Sequence, residues 1–162
     1  MRFFGIMMLL VLAAAPARAD CVDPPEPGVN WVRCYFDGRS FEGVDLSGAN
    51  LRGATFSRGN LSNSDLSGAS VSGAKFISTT LHNVDFSGAT LREADFTNAD
   101  LAGASFEGSD LRQARFFRAN LRNADFSGAQ MRGADLFQAD LSGALWINGE
   151  RRCAEGSRGQ CR

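Results

Sequence analysis

Chemistry in this chain would have to come from four cysteines, a single histidine, and abundant Asp, Ser and Arg. Cys21, Cys34, Cys153 and Cys161 include no Cys-x-x-Cys pair of the kind redox sites use. His82, the only histidine, stands mid-chain, far from all four, so no zinc-type ligand set assembles. Ser and Asp offer nucleophiles and acids, but with one imidazole there is no nucleophile–base arrangement to name. Catalytic, cofactor and metal residues are therefore expected to be none, and the chain is read as a non-enzyme.

The elements that hold these residues follow from a repeat. A large apolar residue occupies Phe41 and every fifth position through Trp146, twenty-two times without a slip. Eleven of these centres are Leu and eight are Phe, with Val71, Met131 and Trp146 completing the set. Two residues before the centre, Ala fills fifteen of the twenty-two sites, and two residues after it Gly or Asn fills sixteen. Internal periodicity of this kind outranks other sequence signals.

A helix cannot use the pattern, because five residues turn it by about 140° and the centres would spiral round its surface. One continuous strand cannot either, because an odd period throws successive centres to opposite faces. Each pentad must instead be a short extended side followed by a corner. The Ala and the centre point inward, their neighbours point outward, and the Gly or Asn turns the corner, where tolerance of positive φ matters most. Repetition of side and corner builds a β-solenoid.

From Leu81 to Phe126 the centres alternate Leu and Phe, a ten-residue super-period that requires an even number of sides. Two sides leave no room for both rows, so four sides and twenty residues per coil are predicted. That register stacks Leu61, Leu81, Leu101, Leu121 and Leu141 in one column and Phe56, Phe76, Phe96 and Phe116 in another. The inward positions are apolar or small throughout, so no ligand cavity is expected.

With Ala-Asn-Leu at 49–51 and 119–121, and Ala-Asp-Leu at 99–101, 134–136 and 139–141, the chain resembles the pentapeptide-repeat proteins. The resemblance covers residues 39–148, about two-thirds of the chain. It implies an all-β, right-handed quadrilateral β-helix. It implies little about activity.

The ends differ from the repeats. Met1-Arg2, the apolar run Phe3 to Ala15 and Ala17-Arg18-Ala19 read as a secretory signal peptide over residues 1–19, cleaved before Asp20. Its apolar run is too short to span a bilayer, and no second run of membrane length follows. Loss of Arg2 and Arg18 leaves 15 basic against 18 acidic residues, net −3. In an oxidising compartment the four cysteines suggest two disulfides. Three pairings are open; Cys21–Cys34 and Cys153–Cys161 are favoured because the repeats separate the two pairs. Residues 20–38, rich in Pro, read as an N-terminal cap merging into the first coil, since Trp31 and Phe36 already keep the register. Residues 149–162 read as a C-terminal cap. About six coils from Val29 to Asn148 would make a rod of roughly 29 Å at strand spacing.

Candidate function then lies on the outer columns. Asp45, Asp65, Asp85, Ser105 and Asp125 stand beside Ser47, Ser67, Ser87 and Ser127, as turn-satisfying groups or as a row for a hard cation. Lys75, Asp95, Arg115 and Asp135 alternate in sign, as in a salt-bridge ladder. Arg52, Arg92, Arg112 and Arg132 share a column interrupted only by Ser72, with Glu93 and Asp110 as the nearby acids. They are either a solvated face or an anion-binding stripe. Ile77, Phe117 and Phe137 line another column, as a contact patch or as residues buried beneath the C-terminal cap.

These observations favour a non-enzymatic, periplasmic or secreted scaffold whose partner is a protein or an anionic envelope component. No nucleic acid is expected, and a dimer through the C-terminal coil is left open. The alternative is a DNA mimic that protects an enzyme such as gyrase, which the resemblance implies for some family members. Those members look strongly acidic and cytoplasmic, unlike this chain.

Overall fold

The computed structural model describes residues 21–162, so the segment read as a signal peptide lies outside the described residues. Parallel β-bridges join each residue preceding a centre to the one twenty positions later, from Asn30↔Asn50 to Asp125↔Leu145. Twenty residues per coil on four sides is therefore the observed register. No side extends beyond a single bridged residue, because the chain corners every fifth residue.

Five backbone N–H groups per pentad need acceptors, and their fates explain the sequence pattern. Around Leu66, the N–H of Leu66 donates to Asp85 O, that of Gly68 to Ser87 O and that of Asp65 to Val44 O, all in neighbouring coils. The N–H of Ala69 donates to Leu66 O and closes the corner as a β-turn. The fifth, on Ser67, donates to the side chain of Asp65 at 2.8 Å. An Asp before the centre thus completes the hydrogen bonding of its own side, and Asn60 and Asn120 do the same.

Corners take positive φ at Gly48, Gly53 and Gly68, and equally at Arg58, Ser78, Glu93, Gln113, Arg118 and Gln138. The solenoid imposes the left-handed corner even where no Gly or Asn is present. The final corner departs from the register: positive φ falls on Gly149 rather than on Asn148, and the chain there reverses direction.

Inside, Phe56, Phe76, Phe96 and Phe116 stack face to face with centroids 5.0–5.3 Å apart. A second column, Phe86, Phe106 and Phe126, stacks at 5.1–5.4 Å. The two columns meet edge-to-face, as Phe96 and Phe106 do at 78°. Both arrangements suit the aromatic quadrupole.

The Cys21–Cys34 and Cys153–Cys161 disulfides are formed. At the N-terminal end Trp31, Phe36 and Phe41 pack together and are buried, with the Arg39 guanidinium over both Phe rings. At the other end residues 150–162 turn back through antiparallel bridges Leu145↔Arg152 and Asp140↔Arg158. Arg122 grips Glu155 of this segment with both amino nitrogens, at 2.8 and 3.0 Å. Met131 and Leu136, on the two sides these bridges do not reach, remain only partly buried.

Candidate functional site: an arginine-lined outer face

Four outer faces result, and they differ in what precedes and follows each centre. On the Asp face, over Leu46, Leu66, Phe86, Phe106 and Phe126, every pre-centre residue from Asp45 to Asp125 caps the N–H two residues on. Asp45, Asp65, Asp85 and Asp125 accept from Ser47, Ser67, Ser87 and Ser127 at 2.8–2.9 Å, and Ser105 accepts from Glu107 at 3.5 Å. The Asp45 carboxyl is held below its ordinary pKa by the Ser47 N–H and then by the Ser47 hydroxyl. Each carboxylate here serves its own corner. Among the described residues no cluster of His, Cys, Asp or Glu could hold a metal ion.

The next face, over Leu51, Val71, Leu91, Leu111 and Met131, carries the Arg column. Its pre-centre residues are Asn50, Ser70, Thr90, Asp110 and Gln130, and only Asp110 caps, accepting from the Arg112 N–H at 3.3 Å. The Asn50 amide oxygen is buried without a hydrogen bond. Among the described residues the backbone N–H groups of Arg52, Ser72, Arg92 and Arg132 find no protein acceptor.

Above these donors the Arg side chains line two grooves that share Arg92. One is bounded by Arg33, Arg52, Ser72, Arg92 and Glu93, with Gly53 and Gly73 leaving its floor open. The other is bounded by Arg92, Arg112, Gln113, Arg132 and Gly133. Asp110 is the acid engaged here: Arg92 bonds it through Nε, and Arg112 grips it through Nε and Nη2 at 2.8 and 2.7 Å. Two guanidinium groups share one carboxylate. Arg52 and Arg132 have no ion pair among the described residues.

The third face carries the alternating charges, and the expected ladder is not continuous. Arg115 pairs with Asp95 at 2.9 Å, whereas Asp135 caps the Phe137 N–H and Lys75 makes no ion pair among the described residues. Phe117 and Phe137 stack at 6.0 Å with Arg118 over Phe117, and Ile77 lies two coils earlier. Burial beneath the cap does not occur: Phe137 is 63% exposed, because the cap pairs with the other two sides.

On the fourth face His82 Nε2 lies 2.7 Å from Asp100 Oδ2, with both side chains nearly half exposed. The Ser62 hydroxyl, one coil below, donates to Asn60 Oδ1 at 2.7 Å instead.

Sequence reasoning found the Arg column but missed Arg33 and the uncapped N–H row. The available signal was the identity of the pre-centre residue, which caps wherever it is Asp, whereas this face carries Asn50, Ser70, Thr90 and Gln130 beside the single Asp110.

A four-sided parallel β-solenoid with a filled core and differentiated outer faces is a repeat architecture. The chain belongs to the pentapeptide repeat family: the pentapeptide repeat region matches residues 29–116 and again 79–150. It is similar to HetL, a pentapeptide repeat protein involved in heterocyst differentiation regulation in Nostoc sp. strain PCC 7120. The two are 32% identical, with 76% of this chain and 62% of HetL covered and a TM-score of 0.56. This chain thus spans less than two-thirds of the length of HetL. A pentapeptide repeat protein of the Arabidopsis thaliana thylakoid lumen is 24% identical over 77% of this chain and 85% of its own, TM-score 0.46. QnrB1, a plasmid-mediated fluoroquinolone resistance protein, is 21% identical over 80% and 81%, TM-score 0.40. No curated protein sequence matches significantly. The family match and the likeness to HetL carry the right-handed quadrilateral β-helix over to this chain.

Proposed function

We propose that this protein is a non-enzymatic, exported scaffold of the bacterial envelope that engages its partner through the Arg face. Two disulfides and no free cysteine among the described residues support an oxidising compartment, as does the signal-like segment at residues 1–19. Among the described residues no helix is long and apolar enough to cross a membrane.

The observation that carries the reading is the contrast between faces. Carboxylates on the Asp face are consumed by their own backbone, whereas Arg52 and Arg132 have no ion pair among the described residues. Like charges stacked one coil apart repel each other, and an anionic partner removes that repulsion. Phe117 and Phe137, with the partly open end at Met131 and Leu136, form a second contact surface, suited to a second copy through the C-terminal coil. Cross-linking capture from the periplasm tests the reading. A partner retained by the wild type and lost by Arg92→Ser/Arg112→Ser supports docking on the Arg face. A partner retained equally by the wild type and the variant rejects it.

A further inference from the structure

We propose that the Arg face binds a linear polyanion lying along the rod, held by guanidinium groups and by the uncapped backbone N–H row together. The inference rests on the Arg-face reading above and specifies its ligand.

The Asp face supplies the template. There, at four of five coils, a carboxylate oxygen accepts the N–H of the residue after the centre, from Asp45 on Ser47 to Asp125 on Ser127, and at the fifth the Ser105 hydroxyl accepts more distantly, at 3.5 Å. The Arg face presents the equivalent N–H groups at Arg52, Ser72, Arg92 and Arg132 with no protein acceptor among the described residues. An anionic oxygen from outside can take the place that Asp Oδ1 holds on the neighbouring face. From Arg52 to Arg92 these donors recur at the coil spacing of about 4.8 Å, and Arg132 follows two coils on, past the Arg112 N–H that Asp110 caps, so a chain with repeated anionic groups matches them better than one compact anion.

Side chains fit the same ligand. Arg33, Arg52, Arg92, Arg112 and Arg132 line grooves that run across successive coils and join at Arg92. Charge-assisted bonds from guanidinium to anionic oxygen are the strong class of hydrogen bond. A folded protein partner would need a buried aromatic or aliphatic anchor, and Val32 is the one aliphatic side chain lining the grooves. A single-stranded nucleic acid would need aromatic stacking platforms, and neither groove is lined by an aromatic residue. A polyanion with its charge on one edge, whether a sulfated or uronate glycan or a polyphosphate, fits the features that remain.

The test fills the N–H row from within. Ser70→Asp/Thr90→Asp installs on the Arg face the caps already present on the Asp face, so the fold gains hydrogen bonds while the ligand loses them. Ser105→Asp places the same kind of substitution on the Asp face as a control. Heparin, polygalacturonate and inorganic polyphosphate serve as separate probes by calorimetry. The wild type and Ser105→Asp are expected to bind at least one probe, more weakly as salt rises, and the responding probe identifies the source of the anion. Ser70→Asp/Thr90→Asp is expected to melt at or above the wild-type temperature and to bind about tenfold or more weakly.

Failure of all three probes overturns the inference, and so does equal binding by the Ser70→Asp/Thr90→Asp variant. A loss in Ser105→Asp, which adds one charge, of about half the free-energy loss seen in the double variant, which adds two, overturns it too, by reducing the effect to net charge. If the Ser70→Asp/Thr90→Asp protein still captures a protein partner that Arg92→Ser/Arg112→Ser loses, the scaffold reading stands and the polyanion is wrong.

Discussion

The Asp face and the Arg face adjoin, are built on the same pentad and share one register, yet they leave opposite chemistry at the surface. Asp has a short side chain, and its oxygen reaches the N–H two residues on, so Asp65 or Asp125 closes hydrogen bonds within its own side. Arg follows the centre, extends away from the backbone and cannot accept a hydrogen bond. Only where Asp110 precedes Leu111 does the Arg face satisfy itself, and that one acid is shared between Arg92 and Arg112. One position in five therefore decides whether a face is closed or open to a ligand.

The largest effects should show that the two faces do not differ inside. Phe106 backs the Asp face and Leu91 the Arg face, and both are fully buried. Phe106→Ala should cost about 3–5 kcal/mol and Leu91→Ala about 2–5 kcal/mol in denaturant unfolding. A small loss on one side alone would mean that the faces differ in packing as well as in surface chemistry.

Removal of a cap should separate them next. Asp85→Ala strands the Ser87 N–H and should cost about 1 kcal/mol, by analogy with the loss of a helix N-cap. Asp85→Asn keeps an acceptor oxygen and should stay close to wild type. If both variants unfold alike, charge and not the hydrogen bond is what the Asp face needs.

Acid should probe the same caps. The Asp45 carboxyl is lowered by the Ser47 N–H and hydroxyl. At Asp140 burial pushes upward, but the Ser142 hydroxyl and N–H and then Arg122 outweigh it, so the carboxyl again sits low. A folded pKa below the unfolded value of 3.8 stabilises above that pH and loses its contribution as pH falls through the folded value. The melting temperature should be level above about pH 5 and fall below the unfolded carboxyl pKa. A fall beginning near neutrality would point away from the Asp caps.

The smallest effect should come from the Arg face. Arg52→Ser/Arg132→Ser removes side chains without an ion pair among the described residues and should leave stability within about 0.5 kcal/mol per site. A larger loss would mean that these side chains hold the fold and are not kept for a ligand.

What could be read in the sequence follows the same division. The five-residue period, the four sides and the inward columns are legible because each depends on residue type at a fixed spacing. The disulfide partners follow once the repeats are seen to separate the cysteine pairs. The motif's Asp or Asn is visible as a letter but not as a cap, because the N–H it serves lies on the far side of the centre. Corner geometry is only partly legible: Asn63 and Gly68 announce it, whereas Glu93 and Gln113 adopt positive φ under constraint from the coils around them.

Sequence alone determined the solenoid and its register, since apolar burial every fifth residue admits no other periodic chain path. Tertiary structure alone decided which charges are spent and which remain free. That outcome depends on reach: a carboxylate one bond from Cβ meets its own backbone, while a guanidinium meets a partner only if a neighbouring coil brings an acid within range. Asp110 does so for Arg92 and Arg112, and none of the described residues does so for Arg52 or Arg132.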